Sequence, residues 1–120
     1  MTQSAPLYTN GGGPMSAIGT FAVNQYAYET VAASQTGQVL GTTGAKGDLL
    51  LALVVIPTST SPGAITIIDG STSITVFAGG SSSLSNLVPF TIPLNLPSQS
   101  GAWSITTGAA LSVIAIGSFT

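Results

Sequence analysis

Among its 120 residues the chain has no cysteine, no histidine and no arginine, and only Glu29, Lys46, Asp48 and Asp69 carry charge at neutral pH. Each absence removes a class of function. Without His or Cys there is no nitrogen or thiolate ligand for a transition metal, and no Ser–His or Cys–His pair for nucleophilic attack. A single lysine cannot neutralise a nucleic-acid backbone, so no nucleic-acid partner is expected. Acid–base catalysis usually needs two positioned titratable groups, and three scattered carboxylates are a poor start. DGSTS (Asp69–Ser73) lacks the further carboxylates of a calcium loop. Neither GGGP nor GGSSS belongs to a GxxxxGK phosphate cradle. The expectation is a protein that is not an enzyme and takes no cofactor, metal or small-molecule substrate.

Long hydrophobic runs are missing too. The longest, Leu49–Ile56, falls far short of the roughly 20 residues a membrane helix needs. One strand cannot cross a bilayer by itself, because its backbone groups would find no partners there. The start, MTQSAPLYTNGGGP, has neither a basic nor an apolar leader segment. No membrane partner is expected. Charged residues make up 3% of the chain, against about 25% in an ordinary domain. With a net charge of −2 there is little electrostatic steering. A partner has to be held by shape, apolar contact and neutral hydrogen bonds.

What replaces charge is hydroxyl: Ser and Thr number sixteen each. At this length a single domain removes roughly 65% of its unfolded surface from water, enough for a core. Residues 1–22 read as an extended arm, with Leu7, Tyr8, Met15, Ile18 and Phe21 as more apolar anchors than a solvated tail needs. Residues 23–120 read as one β-sandwich domain. A short helix over Tyr28–Ser34, closed by Gly37, is one reading of its first segment. From Gln38 onward, short β-rich runs recur every 8–12 residues between Gly, Pro, Ser and Asn breaks. They predict strands at about 38–42, 48–56, 64–68, 73–78, 87–94, 102–106 and 111–119.

Three of these runs carry further information. In AITIIDGSTSITVF (Ala64–Phe77) the Asp69-Gly70 pair predicts a hairpin. The register that sets apolar against apolar places Ile67 opposite Ile74 and Ile65 opposite Val76, leaving Thr66 and Thr75 on the wetter face. LVPFTIPL (Leu87–Leu94) carries Pro89 and Pro93, which predicts an edge strand. Leu49–Ile56 is apolar on both parities, whereas a sandwich strand normally alternates. One face fills the core. The other would be hidden in a closed barrel, or covered by the chain's own arm or by a second subunit, and the subunit is expected.

From Gly47 onward the order of elements resembles a small β-sandwich of tailed-bacteriophage virions. GDLLLALVVIP, PGAITIIDGSTSITVFAGG and LVPFTIPLNLPSQSGAWSITTGAALSVIAIGSF are similar to the capsid decoration, or cement, proteins. With the strand pattern, the resemblance implies an all-β fold, an antiparallel, jelly-roll-like β-sandwich; the extended N-terminal arm, residues 1–22, lies outside the part that matches. It implies a homo-oligomer, commonly a trimer, on the outer capsid surface of a virion assembled in the host cytoplasm. There it would clamp neighbouring major capsid proteins. The residues expected at oligomer or capsid contacts are Tyr8, Met15, Ile18, Phe21, Tyr26, Tyr28, Leu50, Val54, Ile114 and Ile116. The rival reading is a fibre or adhesin module that binds carbohydrate or a receptor through Trp103 or the tyrosines. For Trp103 itself, core packing is the first expectation.

Overall fold

Along Leu111–Ser118 every second residue is buried: Leu111, Val113, Ala115 and Gly117 point inward, while Ser112, Ile114, Ile116 and Ser118 stay half-buried on the other side. This two-residue period governs the fold. The computed structural model describes residues 26–120. They form eight strands: β1 (Ala27–Val31), β2 (Gln38–Val39), β3 (Leu49–Pro57), β4 (Ile65–Asp69), β5 (Thr72–Phe77), β6 (Phe90–Pro97), β7 (Trp103–Thr107) and β8 (Leu111–Ser118). One sheet has the order β1-β8-β3-β6 and the other β2-β7-β4-β5. All pairings are antiparallel.

The order has a simple logic. Each strand pairs with the one that mirrors it from the other end of the domain: β1 with β8, β2 with β7, β3 with β6, β4 with β5. A long two-stranded ribbon wound into two facing sheets gives this arrangement, which is that of a jelly roll. The chain is an all-β sandwich, as its turn spacing predicts. Between the sheets lie Val31, Leu50, Leu53, Val55, Leu111, Val113 and Ala115 from the first, and Ile65, Ile67, Trp103 and Ile105 from the second, with Leu40 at one margin. Trp103 is 2% exposed, and its indole Nε1–H donates to the Asp48 carbonyl at 2.9 Å. The core reading of Trp103 holds, and a sugar-stacking role for it is overturned.

Four sequence expectations need correction. The segment read as a short helix over Tyr28–Ser34 is strand β1, because pairing with β8 and burial of Val31 outweigh weak local preferences. Ser34, in a left-handed conformation, turns the chain after it. Ile65 faces Phe77 rather than Val76, since the hairpin shifts register beyond Thr66. Ile67 does face Ile74, and the Thr66 and Thr75 hydroxyls lie 3.4 Å apart as expected. The proline-bearing strand runs Phe90–Pro97, so Leu87, Val88 and Pro89 belong to the loop before it. Leu50 of β3, expected at an oligomer contact, is fully buried.

The ends of the sandwich are locked by the few carboxylates. Gly70, at φ 60°, occupies the hairpin turn where a β-carbon would meet Ser100, so the turn can sit against the β6–β7 loop. The Asp69 carboxylate accepts N–H bonds from Gln99 at 2.9 Å and Ser100 at 3.0 Å. The backbone N–H groups of Ser100, then Gln99, hold its carboxyl below the ordinary value of 3.8. A depressed folded-state value means that this tie stabilises fully above 3.8 and is lost as the pH falls through the lower folded-state value. The expected result is a denaturation midpoint for Asp69→Asn that lies below wild type at neutral pH. The gap should close on acidification below the ordinary carboxylate range, and a gap independent of pH would contradict the assignment.

Candidate functional site

Only four side chains carry charge, and the three carboxylates are all occupied in holding backbone. Asp69 caps the loop just described. Glu29 accepts from the Gln38 side-chain amide at 3.0 Å and the Gly41 N–H at 2.8 Å, tying β1 to the segment carrying β2. Asp48, which is buried, accepts from the Ala45 and Thr120 N–H groups, both at 3.0 Å, and from the Thr120 hydroxyl. Among the described residues no three of His, Cys, Asp or Glu converge, and no pocket opens. No helix among them is long and apolar enough to cross a membrane.

The surface with distinctive chemistry is the outer face of the first sheet. It exists because β3 carries an irregularity. Between Leu50 and Ala52 the pairing shifts by one residue against both neighbours, so the alternation of faces changes at Leu51. Leu50, fully buried, therefore joins Leu53, Val55 and Pro57 on the inner side. Ala52, Val54 and Ile56 stay half-buried on the outer side. The expectation that Leu50 lies at an oligomer contact is thus corrected: the bulge turns it into the core.

Register aligns the outer residues into rows. Tyr28 faces Ile116, Ile116 faces Ala52, and Ala52 faces Pro93, an apolar row from one edge of the sheet to the other. The next row runs Thr30, Ile114, Val54, Thr91. Ile56 extends the apolar area beside Ser112. Tyr28 is 71% exposed, and Tyr26, just before β1, is 58% exposed. The rows contain no charged side chain, since Glu29 takes the alternate direction on β1.

Of the expected contact residues, the fold brings Tyr28, Val54, Ile114 and Ile116 onto this one face and sets Tyr26 at its margin. Leu50 is excluded from it. Tyr8, Met15, Ile18 and Phe21, together with the whole of the expected arm, lie outside the described residues. Ala52 and Ile56 share the parity of Val54 and join the face with it, and Pro93 joins from β6. The signal that could have placed Leu50 is the three-leucine run Leu49–Leu51, in which a bulge relieves the conflict between two greasy parities. No protein-family model, curated protein or solved structure matches the chain.

Proposed function

We propose that the chain is a virion structural protein. In this reading it decorates the outer surface of a bacteriophage capsid as a homo-oligomer, a trimer by its resemblance, and stabilises the shell by clamping neighbouring major capsid proteins. The observation that carries the proposal is the uncharged face built on Tyr28, Ile116, Ala52, Pro93, Ile114 and Val54. Isoleucine and valine in the middle of an open sheet face, with no charge among them, suit a permanent neighbour better than water. A second copy covering that face supplies the oligomer, and residues 1–22 supply the strap along capsid proteins. Each such contact binds only the assembled shell and so favours it by mass action. The jelly roll serves both virion and lectin proteins, so the fold alone does not choose between them. The reading as a carbohydrate-binding module loses Trp103 to the core and is left with Tyr26 and Tyr28.

The test is mass in solution and retention on heads. Wild-type chain is expected to sediment as a multiple of 11.8 kDa. Val54→Asp, which places an unpaired charge on the covered face, should weaken that association at least about 100-fold. Wild type should also co-sediment with expanded but not unexpanded phage heads, and deletion of residues 1–20 should abolish this. A monomer that ignores heads yet binds a glycan array through Tyr28 would establish the adhesin reading instead.

A further inference from the structure

A sandwich of two open sheets has four edges, and here they are treated differently. β2 is only two residues long. β6 contains Pro93 and Pro97, which lack the N–H a ladder needs, and Asn95 between them has φ 55°. β1 stacks over β2, and Glu29 seals that side with its bonds to Gln38 and Gly41. β5, the sequence TSITVF, has none of these protections. It holds six residues with no Pro, Gly or charge, its first four are exposed, and it pairs with β4 alone. Alternate amide and carbonyl groups therefore face outward without a protein partner, which makes an uncharged β-prone strand a template for another.

The ground behind this edge is apolar as well. Phe77 on β5 meets Phe90 on β6 with ring centroids 5.5 Å apart, so the two edges stack on the same flank. Ile92 and Leu94 pack there only partly buried. Ile74 is 41% exposed and Val88 64%. One flank of the sandwich is closed by polar ties, and the opposite one is open and greasy.

We infer that β5 is a self-association edge, distinct from the outer face of the first sheet, on which a second copy of this chain adds its own β5 antiparallel about a two-fold axis. Among the described residues no strand is spare to fill the position. The described chain begins at Tyr26, beside β1 on the sealed flank. The β5 sequence is complementary to itself. With the axis at Ile74, that residue faces Ile74 of the second copy, and Ser73 faces Thr75 on the opposite side of the sheet. Ile74 meets its own copy, the Ser73 and Thr75 hydroxyls meet each other, Thr72 faces Val76, and no charges repel. The two four-stranded sheets become one of eight. Because the contact is isologous, it closes at two copies and leaves no β5 edge free.

The inference is independent of the outer-face reading, and the test keeps them apart by working in the full chain carrying Val54→Asp. Sedimentation equilibrium over a concentration series should show this variant as a dimer of 11.8 kDa chains. Adding S73K and T75K, both at exposed positions, should yield a folded monomer, with association weakened at least about 100-fold. The matching S73E and T75E variant should be monomeric alone and should form a mixed dimer with the lysine variant when the two are combined. A Val54→Asp chain that is monomeric at every concentration, or lysine variants that stay dimeric, would overturn the inference. If Val54→Asp alone leaves the wild-type mass intact while the lysine pair halves it, the outer-face reading falls and the β5 edge stands.

Discussion

Trp103→Ala should lower unfolding free energy by about 4 kcal/mol, read from the midpoint and slope of chemical denaturation. The indole sits on β7 at 2% exposure, among the side chains both sheets contribute to the interior. Close-packed sheets cannot collapse into a void of that size without breaking their own ladders, so most of the cavity remains. The hydrogen bond is the smaller part of the effect. The Asp48 carbonyl that accepts from Nε1 also accepts the Ser98 N–H at 2.8 Å, so it keeps a partner. Trp103→Phe should therefore cost only about 1–2 kcal/mol, for the donor and the smaller ring. Against a typical domain stability of about 5–15 kcal/mol, the alanine variant approaches the limit of folding. An alanine variant within about 1 kcal/mol of wild type would mean that the ring is not a core element.

Asp48→Ala is expected to have the next largest effect, a loss of about 3 kcal/mol by the same measurement. The carboxylate is 7% exposed and joins parts of the chain that are distant in sequence: the turn at Ala45, and Thr120 beyond the end of β8. Removing it leaves two backbone donors and a hydroxyl without their acceptor, and bonds to a charged acceptor are worth more than neutral ones. Asp48→Asn, which keeps the shape and one acceptor oxygen, should recover about half of the loss. If alanine and asparagine were equivalent, or both silent, the clamp would have no energetic role.

The fold was legible where the physics is local. Regular breaks at Gly, Pro and Ser marked seven of the eight strands, and the Asp69-Gly70 turn with its pattern of isoleucines fixed the pairing of Ile67 with Ile74. What local pattern missed was decided by distant partners. β1 became a strand because β8 lies beside it, a contact between residues such as Tyr28 and Ile116 that no window of sequence can hold. The candidate face was half legible for the same reason. Ile114 and Ile116 follow strict alternation and were placed correctly, whereas Leu50 was misassigned because one irregular residue in β3 exchanges inside for outside along the strand.

The mirrored pairing of strands carries a consequence for how this protein is made. β8 lies in the middle of its sheet, between β1 and β3, yet it is the last of the eight to leave the ribosome. Until then β1 and β3 have no common neighbour, and only the β4–β5 hairpin can close on nearby residues. Contacts so far apart in sequence bring a large loop-closure penalty before any reward arrives, which sets folding on the order of milliseconds to seconds. The first sheet is thus completed only once β8 has emerged, and until then its oily segments wait exposed, with almost no charge among them to keep copies apart.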